Sequence, residues 1–142
     1  MAFTGNVACN AFKVAQWNGG INFATDTYYM ALYTNAATLG VDTPVYTTAG
    51  EVVASGYSAG GVPLTVTIQP AASGSTVYAS FANVTINAAF TARGALIYKN
   101  AATKTAVAVL DFGADKTSTV SFTVQFPAPT ATAAILRCVS ST

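Results

Sequence analysis

Apolar and polar residues alternate one by one over positions 120–126. Val120, Phe122, Val124 and Phe126 are apolar, and polar side chains separate them. A period of two places alternate side chains on opposite faces of a strand, so this stretch predicts a half-buried strand. The run 106–110 has no polar member. It therefore predicts a central strand covered on both faces.

The same reasoning predicts further strands along the rest of the chain. They are 27–33, 62–69, 76–81, 84–86, 92–98 and 133–139. Turns rich in glycine and polar residues are predicted between them, notably at 71–75, 99–104 and 114–118. About eight short strands joined in this way are typical of an antiparallel β-sandwich, and a jelly roll is one form that the pattern allows. The fold class predicted is therefore all-β, with one short helix at the front.

That helix is predicted in the N-terminal segment 1–20, which lacks the alternation. Apolar residues recur there at helical spacing, at Ala8, Ala11, Phe12 and Ala15. The pattern predicts a helix from 7 to about 16, with Thr4 or Asn6 as its cap. Gly19 and its neighbour should end it.

The longest stretch without a strand pattern is 35–61, which contains Pro44 and five glycines. Loops of this length are uncommon in compact domains and often functional. A short helix at 46–53 is predicted within it. No linker divides the chain, so its 142 residues are expected to form one domain, 1–142.

Composition points towards an assembled protein. Charged residues make up 8% of the chain, against about 25% in ordinary soluble domains. Polar residues interrupt every apolar stretch before it reaches the ~18 residues of a membrane helix, so no membrane partner is predicted. The net charge of +1 comes from scattered residues, which argues against a nucleic-acid partner. So little charge favours a surface covered by neighbours, with a homodimer before a trimer.

Candidate chemistry is sparse. The absence of histidine removes the commonest general base and metal ligand. The five acids lie in predicted turns and loops, namely Asp26, Asp42, Glu51, Asp111 and Asp115. Asp111 and Asp115 flank one turn, but turn aspartates usually bond to nearby backbone. The sequence therefore predicts no catalytic residue, no metal and no cofactor, and hence no enzyme.

Two further features could carry chemistry. The stretch 113–117 departs from a phosphate loop, because Asp115 stands where the glycine before the lysine should be. Cys9 and Cys138 lack metal-ligand spacing. Two buried free thiols are expected in a reducing compartment, and a pairing between them is left open.

The aromatic residues give the stronger functional signal. Tyrosine and tryptophan are favoured at interfaces, although core positions in a sheet would also use them. Two parts of the chain lie outside the alternating strands: the N-terminal segment 1–20, with Phe23 just after it, and the loop 35–61. Both are expected to be free to bind a partner. The candidate contact residues for a capsid or a second copy are Phe3, Phe12, Trp17, Phe23, Tyr46, Glu51 and Tyr57.

Several stretches resemble a family of small virion proteins of tailed bacteriophages. They are 26–39, 46–52, 55–61, 92–98, 106–113 and 115–118. The most specific are the loop Ser55-Gly56-Tyr57-Ser58-Ala59-Gly60-Gly61 and the strand Arg93-Gly94-Ala95-Leu96-Ile97-Tyr98. The resemblance implies a capsid cement, or decoration, protein, which is a β-sandwich that binds outside an assembled head and joins neighbouring major capsid proteins.

That resemblance also implies where the protein works. It would be assembled in the host cytoplasm and would lie on the outer surface of the head, with the major capsid protein and itself as partners. The N-terminus shows no basic region followed by an apolar one, so no secretory signal is expected. The alternative is a tail or fibre component that binds a carbohydrate or receptor, for which Tyr46 and Tyr57 would supply loop aromatics.

Overall fold

A computed structural model of the protein describes residue 3 and residues 5–139. These residues form ten strands and one short helix, with 45% of residues in strands and 6% in the helix. In chain order, the elements are β1 (Val7–Ala8), α1 (Asn10–Trp17), β2 (Tyr28–Tyr33), β3 (Val62–Leu64), β4 (Val66–Ser73), β5 (Thr76–Phe81), β6 (Val84–Ile86), β7 (Phe90–Lys99), β8 (Ala106–Ser118), β9 (Phe122–Val124) and β10 (Leu136–Val139).

The strands form three sheets, and every pairing between them is antiparallel. The largest sheet has the order β1-β8-β7-β2-β3. A three-stranded sheet, β10-β5-β4, and a two-stranded sheet, β6-β9, complete the fold. The prediction of an all-β, sandwich-like protein with one short N-terminal helix is confirmed. Its jelly-roll form stays a prediction.

The five-stranded sheet is covered on both faces. On β2, Tyr28 and Met30 point into a cluster with residues of the two smaller sheets, including Phe81 and Phe122. Tyr33, of the opposite parity on β2, belongs to a second cluster on the other face. The run Ala106–Leu110 is almost wholly buried, as expected for a strand between two layers.

Residues from the N-terminal segment and the long loop cover that second face. Phe3, Cys9, Ala37 and Leu39 are each at most 2% exposed and lie in the second cluster. The loop is held by single bridges, such as the one between Tyr33 and Glu51, and contains no helix. The predicted helix at 46–53 is therefore wrong, because this stretch is spread over a sheet instead of folding on itself.

Three other predicted boundaries are corrected. The helix begins at Asn10, because Val7–Ala8 pairs with β8 as a strand. Strand 62–69 is two strands: β3 pairs with β2, whereas β4 pairs with β5. The turn at 71–75 is only Gly74 and Ser75 at the tip of the β4–β5 hairpin.

The predicted turn at 114–118 is not a turn either. β8 continues to Ser118, and residues 112–115 stand opposite Arg93 alone, between the pairs Gly94–Asp111 and Ala92–Lys116. This is a large bulge, with Gly113 at φ +80° inside it. The polar composition that suggested a turn belongs to a bulge in a long strand.

Candidate functional site

The structure places the seven candidate contact residues in three different environments. Five side chains are buried, namely Phe3 (1% exposed), Phe12 (5%), Phe23 (8%), Glu51 (8%) and Tyr57 (8%). Tyr46 is half-buried, and Trp17 is 91% exposed. The expectation that the N-terminal segment and the loop are free of the core is therefore wrong, because their large side chains cover the central sheet.

Glu51 is the centre of a hydrogen-bonded cluster in the long loop. Its Oε1 accepts hydrogen bonds from the Tyr57 hydroxyl and from the Gly60 backbone N–H, both at 2.7 Å. Its Oε2 accepts one from the Tyr46 hydroxyl at 2.6 Å. The Tyr57 oxygen in turn accepts the backbone N–H of Leu32 on β2 at 2.9 Å. The cluster therefore joins three parts of the loop to the central sheet.

Two more tyrosines extend this network. The Tyr33 hydroxyl donates to the Thr47 carbonyl at 2.6 Å, and the Tyr98 hydroxyl donates to the Gly60 carbonyl at 2.7 Å. Burial, followed by the nearby Glu51 carboxylate, raises the pKa of Tyr98 to about 12. The same two causes, with burial again the larger, raise the pKa of Tyr33 and Tyr57 further above the usual tyrosine range.

Both oxygens of the cluster's carboxylate are engaged in hydrogen bonds. Each Glu51 oxygen already accepts a hydrogen bond, and the carboxylate faces tyrosines instead of a nucleophile. Within the described residues, no buried side-chain nitrogen or oxygen lacks a hydrogen-bond partner. The Lys104 ammonium lies 6.0 Å from the Tyr46 ring centroid and 5.8 Å from that of Tyr98. The cluster acts as a structural clamp.

The other carboxylates are also engaged in local structure. Asp111 pairs with Arg93 at 3.0 Å, and its Oδ1 accepts the Gly113 N–H at 2.8 Å, inside the bulge. The Gly113 N–H bond has the largest effect on the pKa of Asp111 and lowers it; burial opposes this, and the Arg93 pairing adds to the lowering, so the pKa lies below its usual range. The Asp115 carboxylate instead accepts a bond from the Asn35 amide. Residues 3 and 5–139 contain no group of three potential metal ligands.

The two cysteines are separate. Cys9 is fully buried, whereas Cys138 on β10 is exposed, so the expectation of two buried thiols holds for the first alone. Both are free thiols. Burial raises the pKa of Cys9 to about 11.

The surface feature with the largest exposed side chain lies on α1. Phe12 faces inward and meets the Phe23 ring edge-on at 6.2 Å. Val14 and Trp17, three residues apart and therefore neighbours on one helix face, are 59% and 91% exposed. The chain turns sharply after Trp17, with Gly19 at φ +72°. That geometry confirms the predicted helix end and leaves the indole outside the core.

A groove of about 330 Å³ runs beside this helix. It lies between α1, the start of β5 and β10, and we call it the Trp17 groove. Buried apolar side chains, including Phe12, Phe23 and Leu136, line it together with the 44%-exposed Val77. Lys13 and Arg137 also line it. The groove joins residues more than 120 positions apart, which is why the sequence pointed to Trp17 but not to Val77 or Arg137.

The only helix in residues 5–139, α1, has eight residues and falls well short of the ~20 that cross a bilayer.

Comparisons with protein-family models, with curated proteins and with solved structures each find no match for this chain.

Proposed function

We propose that this protein is a structural virion protein that binds the outside of an assembled phage head and cements neighbouring major capsid proteins. The observation that carries the proposal is the 91% exposure of Trp17 next to an apolar groove. Tryptophan is enriched among the residues that dominate binding energy at protein interfaces. A fully hydrated indole on an otherwise well-packed domain is therefore best explained by a partner surface.

The rest of the chain supports a binding role. The buried carboxylate of Glu51 accepts hydrogen bonds from its tyrosine and backbone donors. Asp26 holds a turn and Asp111 the β8 bulge. With 8% charged residues, the protein has a largely neutral surface. Many copies, each bound weakly to a repeating lattice, would together hold a head through multivalency.

Location and self-association belong to the same proposal. The protein would lie on the outer head surface after assembly in the host cytoplasm, with the major capsid protein as its main partner. It would also contact itself, as a dimer before a trimer, because closed symmetry is the usual arrangement of homo-oligomers. Neither a nucleic acid nor a membrane is among the proposed partners.

The alternative function is that of a tail or fibre component that binds a carbohydrate or receptor. The specific observation in its favour is the planar Trp17 ring beside polar side chains of the groove, Gln16 and Tyr78. In that case the indole would meet a sugar on the host surface. Tyr57, the loop aromatic expected for this role, is buried and unavailable.

The deciding experiment adds purified protein to heads that lack it and counts bound copies. Trp17→Ala is the test variant, and Val120→Ala is its control because Val120 is 76% exposed and lies outside the groove. Loss of an interface anchor costs about 2 kcal/mol or more, so the Trp17 variant should bind about 30-fold more weakly. The control should bind like the wild type, and circular dichroism should show both variants folded.

Two outcomes would overturn the proposal. Wild-type protein that leaves heads undecorated but binds host cells, in a Trp17-dependent way, would establish the fibre alternative. Equal head occupancy by Trp17→Ala and wild type would show that a different surface meets the capsid.

A further inference from the structure

We infer that the Trp17 groove binds an extended peptide segment in which an apolar side chain lies next to a carboxylate. This inference deepens the proposed function, on which it rests for the identity of the partner as a capsid protein. The groove's own preference can be measured without heads.

The apolar part of the preference follows from the lining. Phe12, Phe23, Ala79 and Leu136 are buried by the fold but still contribute to the groove wall, and Val77 adds an exposed apolar side chain. A volume of about 330 Å³ lies at the small end of ligand-sized pockets. It suits one or two hydrophobic side chains.

The charged part follows from what surrounds those walls. Lys13 and Arg137 line the groove, but no aspartate or glutamate does. The ion pairs among residues 5–139 are Arg93–Asp111 and Lys99–Asp26, which use neither groove cation. The Lys13 ammonium makes only a long hydrogen bond, 3.4 Å, to the Asn10 amide oxygen. A ligand carboxylate would therefore meet two cations that the described fold leaves without a charged partner.

The acids of the chain are held elsewhere. Asp42 is linked to Lys13 through hydrogen bonds to the Asn10 side chain. The Asp42 carboxylate accepts the Asn10 amide N–H at 2.8 Å, and Lys13 donates to the Asn10 amide oxygen. Glu51 is buried, and Asp115 accepts a bond from Asn35. Within the described residues no aspartate or glutamate lines the groove, so we expect the ligand to supply the negative charge.

An extended ligand fits the edge of the sheet. β10 is the end strand of its sheet, and β5 is its only partner among the described strands. Arg137, Cys138 and Val139 on this strand are exposed. The opposite edge strand, β4, contains Pro70, which cannot donate a ladder hydrogen bond. β10 has no proline, so it is the better edge for strand addition by a peptide.

A second copy of this chain is a poorer occupant. A two-fold contact through the same face would bring together Lys13 and Arg137 from both copies, with no acid from the groove lining to offset them. Like charges brought together at an interface oppose association. Any self-contact in the virion is therefore expected on a different face.

The test uses the fluorescence of Trp17, because it is the only tryptophan of the chain. The probe is the blocked peptide acetyl-Thr-Val-Asp-Leu-Asp-Thr-amide. Its two controls replace both Asp by Asn, or both Val and Leu by Ser. We expect the acidic apolar peptide to shift the Trp17 emission to shorter wavelength and to bind at least about tenfold more tightly than either control. Added salt should weaken this binding.

A matched pair of variants locates the charge effect. Lys13→Gln combined with Arg137→Gln should abolish the preference for Asp over Asn, whereas Lys116→Gln, at an exposed lysine outside the groove, should keep it. Equal affinity for the Asp and Asn peptides, or no emission shift with any peptide, would overturn the inference. An emission shift that appears on concentrating the protein alone would overturn it in favour of a second copy.

The two proposals fail separately. Decorated heads without any peptide preference would leave the proposed function standing and remove this inference. A measured peptide preference in a protein that never binds heads would do the opposite.

Discussion

The hydroxyl of Tyr57 donates a hydrogen bond to Oε1 of Glu51 at 2.7 Å, in the interior of the protein. The same hydroxyl oxygen accepts the N–H of Leu32 on β2 at 2.9 Å. The single oxygen therefore connects the loop carboxylate to the central sheet. Glu51 lies beside Tyr33 in an isolated bridge, and Val52 donates to the Leu32 carbonyl at 2.9 Å, so the connection is reinforced on both sides.

Removing that oxygen should destabilise the fold. Tyr57→Phe keeps the ring but leaves the Leu32 N–H without its partner and Glu51 with one donor fewer. A buried group left unsatisfied costs about 1–3 kcal/mol, and we expect this loss in the free energy of unfolding by chemical denaturation. Tyr29→Phe is the control, because within the described residues the Tyr29 hydroxyl makes no hydrogen bond. Equal stability of both variants would show that the clamp contributes nothing.

Gly61 is expected to be the least replaceable glycine of the loop. It has φ +80°, and a Cβ there would lie 1.8 Å from the Met30 carbonyl oxygen, so the loop could not keep its contact with β2. Gly74→Ala is the matched control, with φ +61° and open space around its Cβ position. The control should lose about 1–2 kcal/mol from the left-handed backbone alone. Gly61→Ala should lose clearly more, and a loss no larger than that of the control would contradict the close approach.

Stability should fall on the alkaline side. Burial raises the pKa of Cys9 to about 11 and that of Tyr98 to about 12. It raises the pKa values of four other tyrosines still further, namely Tyr28, Tyr33, Tyr46 and Tyr57. The unfolded chain loses these protons at lower pH than the folded chain does. The stabilisation is therefore complete below about pH 9–10 and is lost as the pH rises towards 12.

The measurement is an unfolding titration followed both by circular dichroism and by tyrosinate absorbance. We expect the two signals to change together, because the buried hydroxyls ionise when the fold opens. Ionisation of Tyr28, Tyr33, Tyr57 and Tyr98 near pH 10 in a protein that keeps its dichroism would contradict their burial.

Acid should act through Asp26 and Asp111. Burial alone would raise the pKa of Asp26, but the Asn22 N–H and the Lys99 ion pair outweigh it and lower the pKa. The pKa of Asp111 is lowered by the Gly113 N–H, and further by Arg93. Carboxyls whose pKa is lowered in the folded protein stabilise the fold above their ordinary pKa of 3.8, and they lose that effect as the pH falls below it.

Between these limits the protein should be insensitive to pH. It has no histidine, and none of the shifted pKa values lies between about 5.5 and 8. Unfolding free energies measured across this range should be flat, and they should fall below pH 4 less steeply for Asp111→Asn than for the wild type. Attachment to isolated heads should be equally flat. A steep change near neutral pH that belongs to this chain's own ionisation would contradict the prediction.

The local sequence pattern was sufficient to predict those strands whose two faces differ in polarity. The period-two alternation placed Tyr28 and Met30 on one face of β2 and Tyr33 on the other, and it buried Phe122 and Val124 together. The pattern is readable because successive side chains of a strand point to opposite faces whatever lies around it. The succession of such strands also indicated the all-β class, and the lack of histidine excludes a histidine-based site.

Pattern failed where a distant part of the chain decides the environment. Residues 112–115 continue β8 as a bulge instead of forming a turn. The reason is that the flanking residues, Asp111 and Lys116, pair with Gly94 and Ala92 of β7. Strand 62–69 changes partner at Thr65, which alternation cannot show. Val120 continues the apolar face of β9 in sequence but is 76% exposed, since the strand has not yet begun.

The candidate site was partly accessible from sequence. Trp17 stood out as a large apolar residue near a predicted helix end. It lies on the surface because the helix buries Phe12 and not Trp17. Tyr57 and Glu51 stood out equally, yet the structure buries them against β2.

The sequence by itself determined the alternating strands, the short helix with its glycine end, and the scarcity of charge and of catalytic side chains, because each of these is a local property of the chain. Only the tertiary structure decided that loop 35–61 covers the central sheet, and that Lys13 and Arg137 line the same groove. Burial and charge at a site are sums over neighbours brought together by folding, and those neighbours are far apart along the chain.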